Sequence, residues 1–268
     1  MAIFDDIQER LREVEYAQQI KIIYACESGS RAWGFPSADS DYDVRFLYVH
    51  PVDWYLSIED KRDVIEYPIS SELDITGWDL RKALQLFRKS NTPLLEWLGS
   101  PIVYRERYQV AGKLRELAKT AYSPVTCIYR YLHMAQDNYQ RYLQGEQVWL
   151  KKYFYVLRPI LAINWIEQGY GLAPTPIGKL IERVITSPPL KAEIHNLIKL
   201  KLERNEIYFG PRIQLIRDYI DAEMTRLKNY RAEYHGDAVS YECLDEIFRN
   251  ALEEAWQSLE GSYDTVSD

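Results

Sequence analysis

Residues 27–46 read ESGSRAWGFPSADSDYDVRF, and the order of the parts of this stretch decides the fold. Just before it, Lys21 to Cys26 (KIIYAC) is short, apolar and partly β-branched, and it stops at Glu27-Ser28-Gly29-Ser30, which predicts a strand entering a tight turn. Residues 27–41 hold serines close to Gly29, Gly34 and Pro36 and read as a loop. Tyr42 to Val49 (YDVRFLYV) then resumes β-favouring residues and predicts a second strand. Asp41 and Asp43, two residues apart at the mouth of that strand, are expected to share one face. Two unpaired carboxylates at this spacing repel, and a divalent cation would remove that cost. Gly29 lets backbone approach a ligand closely, and exposed amides with the Ser30 hydroxyl suit phosphate oxygens.

Working outward, Phe4 to Gln18 repeats apolar residues at Ile7, Leu11, Val14 and Ala17 and predicts an amphipathic helix. Downstream, Pro51 begins a short helix through Leu56, and Arg62 to Tyr67 and Ser71 to Gly77 read as strands separated by Pro68. Asp79 is a plausible N-cap, after which helices are expected over Leu80 to Arg88, Thr92 to Leu98, Glu106 to Ala121, Pro124 to Leu143 and Val148 to Gln168. Leu190 to Arg204 and Ile213 to Tyr234 continue the helical periodicity. Strands first and helices later predict an α+β protein: a head over residues 1–104 and an all-helical part over 105–268, with no linker to fix the boundary.

Composition is that of a soluble globular chain, and no apolar run reaches the roughly 20 residues that span a bilayer. The opening residues lack a signal-peptide core, so a cytoplasmic protein without membrane contact is expected. Cys26, Cys127 and Cys243 are far apart and not at zinc spacing, and read as reduced thiols. The net charge of −7 is unevenly spread: residues 1–74 carry −9, residues 75–250 carry +7 and residues 251–268 carry −5. An acidic front with a basic middle fits metal on one side and phosphates on the other.

In this order, strand, Gly-Ser turn, loop and DxD on the next strand, the chain resembles the polymerase beta-like nucleotidyltransferases. The wording of residues 27–46, and the later KKYFYVLRPILAINWI of residues 151–166, is similar to the bacterial and phage branch associated with RNA repair. The resemblance covers roughly residues 20–175. It implies a mixed sheet with flanking helices and a helical second part. It also implies two-metal chemistry with Mg2+ or Mn2+, in which an acceptor hydroxyl attacks a nucleoside triphosphate and pyrophosphate leaves. Asp41 and Asp43 would hold both ions and a third acid would hold one. Alternation leaves Glu72 and Asp74 as candidates for that acid, and the pattern of an apolar strand leading into a helix favours Asp74. An RNA or tRNA end is the acceptor the resemblance favours. Transfer to a protein or small molecule, and a non-catalytic nucleotide-binding or antitoxin-like module, are the alternatives.

A triphosphate needs cations beyond the carboxylates. Lys151, Tyr155 and Arg158 fall on one helical face with Lys152 adjoining, and are the candidates. Arg31, next to the turn, can reach a phosphate, as can Ser40, while Arg45 is expected to pair with a carboxylate. Tyr129, Tyr131, Tyr139 and Tyr142, interspersed with Arg130, His133 and Arg141, are read either as core or as a stacking surface for unpaired RNA bases.

Overall fold

The computed structural model describes residues 2–67, 72–203, 209–231 and 238–256. Pro68, Ser71, the expected helix ends at Arg204 and Tyr234, and the acidic stretch beyond Trp256 lie outside the described residues. The elements run α1 (Ala2–Gln18), β1 (Lys21–Glu27), α2 (Gly29–Trp33), β2 (Tyr42–Val49), α3 (Val52–Tyr55), β3 (Val64–Glu66), β4 (Leu73–Asp79), α4 (Leu80–Arg88), α5 (Thr92–Leu98) and β5 (Val103–Glu106). Then come α6 (Val110–Ala121), α7 (Pro124–Tyr142), β6 (Gln147–Trp149), α8 (Lys151–Glu167), α9 (Ile177–Val184), α10 (Pro188–Glu203), β7 (Phe209–Pro211), α11 (Gln214–Leu227) and α12 (Tyr241–Trp256).

Five strands form a mixed sheet in the order β3-β4-β2-β1-β5. β2 runs parallel to β4 and antiparallel to β1, while β1 and β5, and β3 and β4, are antiparallel. The alternation of β2 divides its side chains: Val44, Phe46 and Tyr48 pack with Ile7, Leu11 and Val14 of α1 in one core, while Leu47 and Val49 join the helices in the other. Asp43 and Arg45 therefore lie on the face of Leu47 and Val49, away from α1. A bulge at Ile22/Tyr24 lets Ile23 and Tyr24 both join the helical core.

Several boundaries differ from the sequence reading for identifiable reasons. Residues 29–33 are a helical turn rather than loop. Ala17 is exposed, because α1 ends at Gln18, Gln19 turns at φ 51° and Ile20 takes the core position instead. Val103–Glu106, read as boundary and helix start, is the fifth strand: Tyr104 donates to the Glu27 carboxylate and Arg105 pairs with Glu15 at 2.8 Å. The second part is not wholly helical, since β6 and β7 form an antiparallel ribbon between α7 and α11. The cap reading of Asp79 matches the structure, whose side chain accepts from Arg81 N at 2.8 Å.

The helical core centres on α8, buried on nearly all sides from Tyr153 to Ile163. That core runs without interruption from the sheet residues Ile23 and Leu47 through α4, α5, α7 and α8 to Ala255 of α12. No helix among the described residues is long and apolar enough to cross a membrane.

Candidate active site

The site is assembled where β1 hands over to α2 and where β2 and β4 begin. Ser28 N donates to Asp43 O at 2.8 Å and Asp43 N donates to Glu27 Oε1 at 2.8 Å, so the turn and the second strand are pinned together. Glu27 is buried beneath them, held also by Tyr104, and burial pushes its carboxyl above the usual range. Nothing in the sequence marked Glu27, whose partners lie in strands that only the fold brings together.

Gly29 has φ +58°, and a Cβ there would stand 2.0 Å from Asp43 Oδ2. Only glycine fits both the left-handed backbone and that approach. The Gly-Ser turn and the DxD are thus one steric unit.

The parallel register sets Asp43 directly beside Asp74, and Arg45 beside Thr76. Arg45 Nη2 reaches Asp43 Oδ1 at 2.9 Å and Asp74 Oδ2 at 2.7 Å, and its Nη1 donates to Asp74 O at 2.9 Å. The guanidinium offsets the repulsion between the two carboxylates. Burial still raises the Asp43 carboxyl above its ordinary range, with Asp74 and Asp41 adding to the effect and Arg45 opposing it. Glu72 precedes β4, is exposed, and contributes its carbonyl to Tyr42 N at 2.8 Å.

Asp41 differs from the expectation. The strand begins at Tyr42, so strand alternation does not govern Asp41, which is exposed beside it. Arg31 explains why: its Nη2 donates to Ser40 O at 2.7 Å and its Nε to Asp41 O at 3.2 Å, with the guanidinium 3.6 Å from the Tyr42 ring centroid. Arg31 therefore clasps the backbone that enters β2. Ser30 Oγ lies 3.3 Å from Ser40 Oγ, which also meets Ser37 Oγ and Ser37 N at 2.9 Å each. Lys201 Nζ of α10 lies 3.4 Å from Ser37 Oγ.

The donor set suits a hard divalent cation: carboxylate oxygens from neighbouring strands, one of them raised by burial and like charge. Among the described residues no three His, Cys, Asp or Glu side chains stand close enough to hold a metal ion. Asp43 and Asp74 are paired through Arg45, and Asp41, one residue before β2, adds to the raised carboxyl of Asp43.

The basic candidates on α8 divide. Lys152 Nζ lies 4.1 Å from the Tyr142 ring centroid and 4.4 Å from that of Tyr155, and Tyr155 packs edge-on against Trp33 of α2 at 5.6 Å. Lys151, Lys152 and Tyr155 are half-buried at the start of α8. Arg158 is neither surface charge nor solvent-facing: it is wholly buried, pairs with Glu96 at 2.6 Å, donates to Thr175 O at 3.2 Å and lies 4.8 Å from the Trp33 ring. Glu96 also accepts from Trp33 Nε1 at 3.3 Å and Tyr131 OH at 3.1 Å. This network braces α2 from below.

The tyrosines of α7 do not form one surface. Tyr131 is buried against Glu96 and Arg158, Tyr139 bonds Asp221 at 2.5 Å, Tyr129 packs on Tyr230, and Tyr142 meets Lys152 of α8. Cys26, Cys127 and Cys243 are all free. A cleft of about 780 Å³ between α6 and α12, lined by Tyr108, Lys113, Cys243 and Ile247 among others, includes none of the carboxylates described above.

Residues 3–250 match the model of the RNA repair pathway DNA polymerase beta family, RlaP. The chain is 47% identical over 252 residues to "Uncharacterized protein YcgL" of Bacillus subtilis (strain 168), covering 94% of this chain and 97% of that protein. Among solved structures it is similar to a nucleotidyltransferase-like protein from Exiguobacterium sibiricum 255-15, with a TM-score of 0.32 and 15% identity over 81% of this chain and 73% of the other. A similarity that low carries no further argument.

Proposed function

The chain belongs to the RNA repair pathway DNA polymerase beta family, and on that premise we propose that it is a metal-dependent nucleotidyltransferase. In this reading it moves a nucleoside monophosphate from a nucleoside triphosphate to a hydroxyl, with an RNA or tRNA end as acceptor and pyrophosphate as leaving group. The observation that carries the reading is the in-register pairing of Asp43 with Asp74 against the Gly29 turn. Half-buried paired carboxylates beside a close-approach glycine suit a site for metal and phosphate together.

Asp41, Asp43 and Asp74 would hold Mg2+ or Mn2+, two ions in all. Such ions neutralise phosphate charge and favour loss of the acceptor proton. Gly29 keeps the backbone low enough for phosphate oxygens to approach, and Ser30 and Ser40 offer them hydroxyls. Arg31 keeps the loop before Asp41 in place, and Arg45 holds the carboxylate pair together. Tyr155 packs on Trp33 of α2 with Lys152 beside it, and in this reading Lys151, Lys152 and Tyr155 would hold the triphosphate tail. Arg158, sealed from solvent, acts through Trp33 as a positioning residue rather than by touching phosphate.

One observation favours a second reading, a non-catalytic module. Arg45 already satisfies both carboxylates, as a purely structural trio would need. The experiment that separates the two is incubation with each α-labelled nucleoside triphosphate, Mg2+ or Mn2+, and total RNA. Label in RNA that is lost in Asp43→Asn supports transfer to RNA. Label in protein or a small molecule moves the acceptor, and no label under any condition favours the module.

A further inference from the structure

The ribbon of β6 and β7 carries two large aromatic side chains that the fold leaves in solvent. Along it Val148 and Gly210 turn inward while Gln147, Trp149, Phe209 and Pro211 face out. Trp149 and Phe209 are cross-strand partners, 38% and 50% exposed, with ring centroids 5.1 Å apart at 59°. A pair of exposed aromatics held in register on a short ribbon presents π faces at little entropic cost to a ligand.

The ribbon continues into the candidate active site. One residue after Leu150, α8 opens with Lys151 and Lys152, and Lys152 lies between the Tyr142 and Tyr155 rings. Tyr155 in turn meets Trp33, the last residue of the helix that starts with Gly29 and Ser30. Aromatic rings and cations thus alternate from the ribbon to the Gly-Ser helix. The described residues around the two strands, 141–152, 196–203 and 209–212, hold six Lys and Arg against two Asp and Glu in a chain of net charge −7; Arg212 pairs with Glu146 at 3.0 Å and Lys199 with Glu203 at 3.9 Å, which leaves the excess on the other four. A local excess of positive charge, with Lys152 set between two rings, matches a polymer whose repeat is a base and a phosphate. A protein partner would instead be expected to find an enclosed apolar patch with few charges at its centre.

We propose that the β6–β7 ribbon is a docking platform for single-stranded RNA, which takes unpaired bases on Trp149 and Phe209. The strand then passes over Lys152 and Tyr155 towards the Gly-Ser helix. This inference rests on the RNA-acceptor reading above, but it is tested by binding alone, without turnover.

The test is fluorescence anisotropy of a labelled twelve-nucleotide single-stranded RNA titrated with the full chain, without nucleotide or metal, at two salt concentrations. Trp149→Ala and Phe209→Ala are expected to weaken binding about tenfold each, and Trp149→Tyr to retain most of it, since each stacked base contributes to that extent. Thermal melting and magnesium-dependent triphosphate binding should stay close to the wild type in all three, because both side chains are exposed and neither touches Asp43, Asp74 or Arg45. RNA affinity unchanged in both alanine variants, or absent in the wild type, would overturn the proposal. Failure of the transferase reading shows separately, as loss of labelled nucleotide transfer to any acceptor, which this binding measurement does not use.

Discussion

Gly29 and Asp43 compete for the same space: a methyl group on Gly29 would stand 2.0 Å from Asp43 Oδ2. Asp43 cannot simply swing aside, because Arg45 holds its other oxygen at 2.9 Å. Gly29→Ala must therefore break the Asp43–Arg45 pair or distort a backbone already at φ +58°. It should lower stability by about 1–2 kcal/mol, the usual cost of a left-handed non-glycine residue, and reduce nucleotide transfer far more than that loss explains. Denaturant melts alongside transfer rates check this.

Removal of Arg45 tests its place between the carboxylates. In chelator, Arg45→Met should melt below the wild type by roughly 1–2 kcal/mol, less than for a fully buried pair because its partners are partly open to solvent. Magnesium should then stabilise the variant more than the wild type, since the ion supplies the missing positive charge. Equal magnesium shifts in the two proteins would mean that Asp43 and Asp74 do not bind the ion.

The register of β2 and β4 separates the two candidate third acids. Asp74 stands beside Asp43, whereas Glu72 lies before the strand and is exposed. Asp74→Asn should cut transfer by about a hundredfold or more, the scale expected for a metal ligand, while Glu72→Gln stays within a factor of about three. Steady-state rates at saturating triphosphate decide it.

Asp79 sets a pH dependence away from the site. Burial, opposed by hydrogen bonds from Tyr55 OH at 2.6 Å and Arg81 N at 2.8 Å, raises its carboxyl to about 6. A raised folded value means that the protonated form favours folding, so this contribution is present below about pH 4 and is lost as pH rises through about 6. His50, lowered by burial to about 4, acts in the opposite sense, losing stability as pH falls from its ordinary range. Asp79→Asn keeps an N-cap and removes the carboxyl. Its stability relative to wild type should therefore improve between pH 4 and pH 6, as read from urea midpoints across that range. A flat difference would contradict the assignment.

The parts of the fold legible in the sequence are those whose signal is local. Lys21–Glu27 and Tyr42–Val49 are apolar runs, and Asp79 caps the helix that follows it. β5 escaped because Val103–Glu106 ends in two charged residues and is a strand only through pairing with β1, while the charge of Arg105 is met by Glu15 of α1, 90 residues away. β6 escaped because three residues ran into the apolar periodicity of α8. At the site, the Gly-Ser turn and DxD were readable, but the Asp43–Asp74 register was not, and neither was the role of Glu27. Arg158 read as a phosphate contact, since nothing near it in sequence announces Glu96, 62 residues away.

The central claim is that Asp43 and Asp74 form a metal-supported triphosphate site. Calorimetric titration of a non-hydrolysable nucleoside triphosphate, with and without magnesium, into wild type and Asp43→Asn tests it most directly. The account predicts that magnesium tightens binding at least about tenfold in the wild type, a gain of roughly 1.4 kcal/mol, and has little effect in Asp43→Asn. Binding that magnesium leaves unchanged in the wild type, or strengthens equally in both proteins, would contradict it.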